Sequence, residues 1–392
     1  MSRFASKRVR AMPESVFDTV DRAKARARGR GLEIIDLSIG SSDLAPPEVA
    51  LAALRAATHN SETYGYCLHT GTEPLRRAVS AWTARRLGFT PDPETQVLPL
   101  IGSQEGFANL LLATTDPGDL ILAPDPGYPS YYGAIALAGL ELARTPLLER
   151  NGYLPDLGSI PTETARRAKI LLISYPNNPT AAVATETFMH DAVAFCREHG
   201  VLLVHDFPYV DTVYSDYRAP SVLTQPGALD TAVELYSASK SFNMGGFRIG
   251  WAVGNADALA ALAKVKSAVD FNQYLGIQHA AVAALEGAEA DTRRAAKAFQ
   301  ARRDALVGTL NATGWNVPSP QASMYVWARL PGAHADSFAF VLELAEATGV
   351  CLAPGRAFGE QGEGYVRFAL VRPPEVLARA AARLQEFAEV GV

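Results

Sequence analysis

The sequence predicts an α/β protein with a large domain built on a mainly parallel sheet and a second, smaller α/β domain. Three features carry that prediction. From about residue 95 to 270, short apolar runs bounded by turn residues alternate with segments of helical period. Beyond residue 275 the texture changes to Ala- and Arg-rich helix. A separate alternation of strand and helix then fills residues 324–388. At 392 residues, 48% of them hydrophobic, the chain is long enough to bury two continuous cores.

Taken in order, residues 1–45 hold one helical segment and a turn-rich end at 38–47. That is too little to form a core, so the segment is expected to pack on the smaller domain. The large domain is expected over 46–285. Its strands read as 96–101, 120–124, 169–175, 201–206, 233–237 and 249–253, with helices such as 105–113 and 187–199 between them, where apolar positions recur at three and four. A sheet of this kind offers its ligand site at the C-terminal ends of its strands. A long helix over 276–310, interrupted near Gly287, opens the last part, 286–392. There 324–330, 350–352 and 366–370 read as strands and 337–348 and 374–388 as helices.

The net charge of −5 gives no general attraction to nucleic acid or anionic lipid, and no local motif supplies one. Cys67, Cys196 and Cys351 form no CxxC or Cys/His spacing, so neither a disulfide framework nor a zinc site is expected, and a reducing cytosol fits best. No run approaches the roughly 20 apolar residues of a membrane span. The basic start at Lys7, Arg8 and Arg10 has no apolar core behind it. The chain reads as unprocessed, soluble and cytoplasmic. An organellar transit peptide is the alternative, against which the early Asp18 speaks.

Chemistry concentrates at the predicted strand ends. Lys240 lies in Ser237-Ala-Ser-Lys-Ser-Phe-Asn-Met-Gly-Gly-Phe-Arg248, a glycine-bearing turn after an apolar strand, whereas the other lysines fall in the N-terminal segment, at a strand start or on helices. Alone, a lysine among serines is more often solvated than a Schiff-base former. Asp206 ends Val-Leu-Leu-Val-His-Asp, where a buried carboxylate needs a partner or serves as a helix N-cap. Asn178 lies in the rigid turn Tyr-Pro-Asn-Asn-Pro-Thr, where Asn177 and Asn178 also suit plain backbone capping. Gly102-Ser103-Gln104 joins a strand to a helix and favours an anion, although Ser103 is also an ordinary N-cap. Tyr128 in Asp-Pro-Gly-Tyr-Pro-Ser-Tyr is either a ring-stacking or a loop-packing aromatic. One cofactor, pyridoxal 5′-phosphate (PLP), gives every one of these groups a task. Asp206 would keep the pyridine nitrogen protonated so that the ring acts as an electron sink. Asn178 and Tyr209 would hydrogen-bond the ring hydroxyl oxygen. The Ser103 turn, Ser237 and Arg248 would cradle the phosphate.

In chain order, GSQEG, DPGYPSY, YPNNPT, DFPY, SASK with FRIG, PGRAFG and VRFAL resemble the motifs of the fold-type I PLP-dependent class I/II aminotransferases, over nearly the whole chain. The resemblance implies the PLP-dependent transferase fold with a mainly parallel seven-stranded sheet. It also implies a homodimer with shared active sites and amino-acid and 2-oxo-acid substrates. Lys240 looks like the lysine that carries the cofactor as a Schiff base, the internal aldimine, and moves the proton. Asp206 looks like the pyridinium partner, Asn178 and Tyr209 like the ring-oxygen ligands, and Tyr128 like the stacking aromatic. Ser103, Gln104, Ser237 and Arg248 look like the phosphate shell. Arg367 in Tyr-Val-Arg-Phe-Ala-Leu matches the arginine that grips the substrate α-carboxylate, helped by Gly40; otherwise it is a strand-edge surface arginine. Tyr66 in YGYCLHTGTEPLR matches the tyrosine that reaches the partner's phosphate, with Tyr64 as its rival, and Asn272 and Tyr274 are candidates for the partner's site.

Within the family, SASKSFNMGGFRIGW, VDFNQY and the YGYCLHTGTEPLR block look most like the LL-diaminopimelate aminotransferases and their bacterial relatives. Alanine, aromatic and N-succinyl-diaminopimelate aminotransferases and a PLP carbon–sulfur lyase share the cofactor shell, and a non-catalytic effector-binding domain is a remote alternative. One departure stands out: Ala181 follows Asn-Pro-Thr where the family usually has Gly. A left-handed residue there is disfavoured for Ala, so an altered local backbone is expected.

Overall fold

Runs such as Leu-Ile-Leu-Ala and Leu-Leu-Val carry no polar face, so they are stable as strands only in a sheet covered on both sides. The computed structural model describes residues 4–12, 17–332 and 334–390. Its strands in chain order are β1 (Ile35–Asp36), β2 (Val97–Leu100), β3 (Leu120–Asp125), β4 (Glu141–Pro146), β5 (Ala168–Ile173), β6 (Leu202–Asp206), β7 (Ala232–Ser237), β8 (Gly250–Gly254), β9 (Tyr325–Arg329), β10 (Val350–Cys351), β11 (Ala353–Pro354) and β12 (Tyr365–Ala369). Seven of them form one sheet in the order β2-β8-β7-β6-β5-β3-β4. One face buries Trp82, Tyr236 and Trp251, the last two stacked at 5.9 Å. The other buries Leu110, Ile121 and Leu235.

Strand direction decides where the chemistry gathers. From β7 through β6, β5 and β3 to β4 every pairing is parallel. β8 runs antiparallel to both β7 and β2. β2 therefore runs the same way as β7, and residues following β2, β3, β5, β6 and β7 emerge on one rim. The residues just before β8 return to that same rim, which brings Arg248 to it. β4 was not expected from the sequence, and its side chains explain why. Glu-Leu-Ala-Arg-Thr-Pro is mostly exposed or half-buried, because this edge strand pairs only with β3 and presents no apolar run to read.

The remaining strands form two small sheets. β12 lies between β11 and β9, antiparallel to both, and β1 pairs in parallel with β10. Their core is built from Phe299, Leu306, Val326, Leu344 and Phe368. The expected helix over 276–310 is two helices, Leu275–Gly287 and Glu289–Ala312, and the second packs on Pro374–Val390. In the N-terminal segment, helix Phe17–Gly29 packs on Ser337–Thr348, and Arg302 grips Asp43 with both terminal nitrogens, at 2.6 and 3.0 Å. Helix Lys7–Ala11 lies instead against Pro129–Ala138, beside the large sheet. No helix among the described residues is long and apolar enough to cross a membrane.

Candidate active site

Lys240 owes its position to the end of β7. Ser237 closes that strand and its Oγ accepts from Ser239 N, capping the single turn Ala238–Ser241 that presents the lysine. Lys240 Nζ donates to the carbonyl of Gly40 at 2.5 Å and stands 5.8 Å from the Tyr209 ring centroid. Asp206, the last residue of β6, is buried. Its Oδ2 accepts from Tyr131 Oη at 2.5 Å, while Oδ1 has no hydrogen-bond partner. Burial pushes the carboxyl up to about 6, against the opposing pull of the Tyr131 hydroxyl, His205, Ser103 and Lys240. The site is thus built to favour a positively charged donor opposite Oδ1.

The end of β2 offers a place suited to an anion. Helix Ser103–Thr114 starts there, preceded by Gly102 at φ +87°. A Cβ on Gly102 would fall 2.5 Å from Arg248 Nη2, so glycine is what lets the guanidinium close on the helix N-terminus. Arg248 itself takes a left-handed backbone, φ +52°, and its Nη1 donates to Gly245 O. Tyr128 Oη reaches Gln104 Oε1 at 3.2 Å.

Arg367 is contributed by the middle of β12 and is only 3% exposed, so it is not a surface arginine. Nη1 donates to Asn178 Oδ1 and Nη2 to Ser38 O, each at 2.7 Å. The guanidinium lies 4.2 Å from the Tyr325 ring centroid and 4.7 Å from that of Phe358. Its Nε has no partner. These are all neutral contacts, so a buried positive charge stands ready for a carboxylate. Tyr209 Oη donates to Tyr325 Oη at 2.9 Å.

A single cavity of about 530 Å³ is lined by Gly40, Ser103, Gln104, Tyr128, Asn178, Asp206, Tyr209, Ser237, Lys240, Arg248 and Arg367. Four buried polar atoms without partners belong to residues that line it: Ser174 Oγ, Asp206 Oδ1, Ser239 Oγ and Arg367 Nε. Each unpaired buried polar group costs roughly 1–3 kcal/mol. Their gathering in one cavity is the signature of a site shaped around a ligand. With Lys240, Arg248 and Arg367 against Asp206, the cavity favours an anionic one.

Tyr66 does not line this cavity. It is 90% exposed and packs edge-on to Phe271, at 6.0 Å. Tyr64 Oη is committed to Thr58 O. Asn272 Nδ2 donates to Cys67 O, and Tyr274 Oη to Ala57 O. Sequence reading missed Tyr131, Ser239 and Tyr325. Tyr131 and Ser239 sit inside motifs that had already been singled out, but Tyr325 offered no local signal, because its partners Tyr209 and Gly40 are distant in the chain.

The expectation of an altered backbone at Ala181 does not hold. Ala181 adopts the left-handed region, φ +57°. The turn's own bonds hold it there: Ala181 N to Asn177 O, Asn177 N to Ala182 O, and Thr180 N and Oγ1 to Asn177 Oδ1. The left-handed conformation costs about 1–2 kcal/mol. Burial of the methyl group, which is 3% exposed, returns about 0.8 kcal/mol. The stiffer unfolded chain returns a further ~0.4–1 kcal/mol relative to glycine. Because these terms nearly cancel, Ala181→Gly is expected to unfold in denaturant within about 1 kcal/mol of the parent. A gain of several kcal/mol would mean that strain dominates this turn.

The chain matches the aminotransferase class I and II family over residues 33–384. An LL-diaminopimelate aminotransferase of Moorella thermoacetica is 42% identical over 380 residues, 97% of either chain. The solved structure of a probable N-succinyldiaminopimelate aminotransferase from Thermus thermophilus is 48% identical, with a TM-score of 0.91 over 95% of this chain and 100% of that one. A mutant aspartate aminotransferase of the same species, 28% identical, superposes with a TM-score of 0.92 over 98% of this chain and 100% of that one. These two structures are equally similar in shape but named for different substrates, so shape carries the fold and not the side chain accepted. Its fold, its family match and its relatives together make this chain a member of the class I and II aminotransferases, and an aminotransferase itself.

Proposed function

We propose that this aminotransferase holds pyridoxal phosphate in the 530 Å³ cavity, linked to Lys240, and moves the amino group of a diaminopimelate-type amino acid to a 2-oxo acid. The observation that carries the reading is the placement of unpaired Asp206 Oδ1 and Arg367 Nε in the same cavity as Lys240. The donor set fits the cofactor: a carboxylate without a partner for a pyridinium N–H, a helix N-terminus with Arg248 for a phosphate, and Tyr209 and Asn178 for a ring oxygen. Enzymes of this family work with pyridoxal phosphate, which supplies an electron sink for the pair left at Cα when its proton departs.

The chain's own residues do the rest. Arg367 takes the α-carboxylate in a fork, exchanging neutral partners for a charged one, and so fixes which bond at Cα faces Lys240. Freed when the substrate amine takes its place, Lys240 Nζ would take the Cα proton as general base and deliver it as general acid to the cofactor carbon it had been bound to, steered by the Gly40 carbonyl. Asp206 stays ionised against a cationic partner, although without one burial outweighs the neighbours that favour its charge and holds the carboxyl up at about 6. Ser103, Gln104, Ser237 and Arg248 bind phosphate, and Tyr128 stacks on the ring. Tyr66 fits a homodimer with shared sites, because its ring stands 90% exposed beside Phe271 whereas the Tyr64 hydroxyl is already bound within its own chain.

The substrate side of the proposal rests on relatives named for LL-diaminopimelate, and the 48% identity to a structure named for the N-succinyl form supports that substrate as the second reading. A half-reaction screen tests both. The long-wavelength absorbance of the holoenzyme is followed after addition of LL-diaminopimelate, N-succinyl-LL-diaminopimelate, alanine, phenylalanine or cystathionine. LL-diaminopimelate is expected to bleach the band at the lowest concentration. Bleaching by alanine or phenylalanine alone sinks the substrate assignment, and release of thiol or pyruvate without bleaching sinks transamination in favour of lyase chemistry.

A further inference from the structure

Two phenol oxygens meet on the cavity wall, and only one of them, that of Tyr209, has been given a task. Tyr325 is the first residue of β9 and is 2% exposed. Its Oη receives the Tyr209 hydroxyl at 2.9 Å. It also passes over Gly40, where a Cβ would fall 2.0 Å from that oxygen, and the Gly40 carbonyl in turn holds Lys240 Nζ at 2.5 Å. The face of the same ring supports the Arg367 guanidinium at 4.2 Å.

Each phenol has one proton to give. With only each other as partners, Tyr209 donates to Tyr325. An anionic oxygen placed beside Tyr209 accepts more strongly than a neutral phenol does, so the Tyr209 proton turns toward it. The Tyr325 proton can then turn onto the Tyr209 oxygen. Lys240, Arg367, Tyr128 and Tyr325 lie around Tyr209, and Lys240, Arg367 and Tyr209 around Tyr325. Burial raises both phenols. At Tyr325 that rise is outweighed by the charges of Lys240 and Arg367 and by the bond from Tyr209, which leave it below the usual phenol range, while Tyr209 stays well above.

We propose that Tyr325 is a positioning residue with two separable parts: its hydroxyl backs Tyr209 so that Tyr209 donates to the cofactor's ring oxygen, and its ring holds Arg367 flat for the substrate carboxylate. The proposal rests on the reading of Tyr209 as a ligand of that oxygen. A bond accepted by the Tyr209 oxygen polarises its O–H and strengthens the bond it donates. A better-stabilised ring oxygen attracts the proton it shares with the cofactor–lysine link less strongly, which lowers the pH at which the holoenzyme spectrum changes.

The test is a spectrophotometric pH titration of the pyridoxal-phosphate-loaded parent, Tyr325→Phe, Tyr209→Phe and the double variant. Tyr325→Phe is expected to raise the midpoint by about half a pH unit, roughly a threefold change in proton affinity, and to add no further shift once Tyr209 is Phe. KM for the amino donor should stay within about threefold, because the ring under Arg367 is kept. An unmoved midpoint, or an equal shift in both backgrounds, overturns the proposal. A purely structural role predicts a lower melting temperature and a raised KM with the midpoint in place. Should Tyr325→Phe not fold, the same cycle with Tyr325→His decides: a shift of either sign that vanishes in the Tyr209→Phe background supports the coupling, and no shift or a persisting one ends it. If the parent shows no band at all, the cofactor reading falls; if the band is present and indifferent to Tyr325, only this inference does.

Discussion

Replacing Lys240 by alanine is expected to abolish turnover and to remove the absorbance near ~420 nm that marks pyridoxal phosphate linked to a lysine amine. The loss of rate should reach at least ~10⁴-fold, since in the proposed mechanism a single side chain supplies both the covalent link and the proton transfer. No other group at this wall can replace it. The remaining cations of the cavity are guanidinium groups, Arg248 at the helix N-terminus and Arg367 between two rings, and arginine does not act as a base near neutral pH. The anion cradle at Gly102, Ser103 and Arg248 is untouched by the substitution, so the variant should still bind the cofactor, now reversibly. A spectrum identical to that of the parent would remove Lys240 from the mechanism.

The second large effect belongs to Arg367. Arg367→Gln deletes a buried guanidinium whose only described hydrogen-bond partners are the Asn178 amide oxygen and the Ser38 carbonyl. Losing one member of a buried, hydrogen-bonded charge pair costs about 2–5 kcal/mol. KM for the amino acid and for the oxo acid should therefore rise on the order of 10²–10³-fold, with the absorbance band retained. Arg367→Lys is expected to fall between the two, because it keeps the charge and loses the planar fork. Steady-state kinetics beside a spectrum of each variant separate the outcomes. A variant with parental KM would show that the substrate carboxylate binds elsewhere, and a lost band would tie Arg367 to the cofactor instead.

Much of the candidate site was legible because each of its parts is signalled locally. Asp206, Lys240 and the Ser103 turn are polar residues directly after apolar strands, and in an open α/β sheet such residues gather on one rim whatever the details of packing. Arg367 was legible only through resemblance, since a lone arginine in a strand reads equally as a surface residue. Its burial between Tyr325 and Phe358 depends on segments far apart in the chain. β4 escaped notice because an edge strand has no apolar run, and the left-handed Ala181 because hydrogen bonds within the turn and a buried methyl offset its strain.

The sequence by itself determined the α/β alternation, the strand ends that present Lys240 and Asp206, and the glycine-led turn at 102 that opens a helix. Each follows from residues within a few positions of one another, where hydrophobic period and turn chemistry suffice. Only the tertiary structure decided that the Tyr64 hydroxyl is spent on Thr58 while Tyr66 stands exposed, that Tyr131 takes one oxygen of Asp206 and leaves the other unpaired, and that Tyr325 joins Tyr209, Gly40 and Arg367. These are pairings of single atoms brought from distant segments. Hydrogen bonds and ring contacts act over a few ångströms, and no local pattern in a sequence records which far-off side chain will arrive within that range.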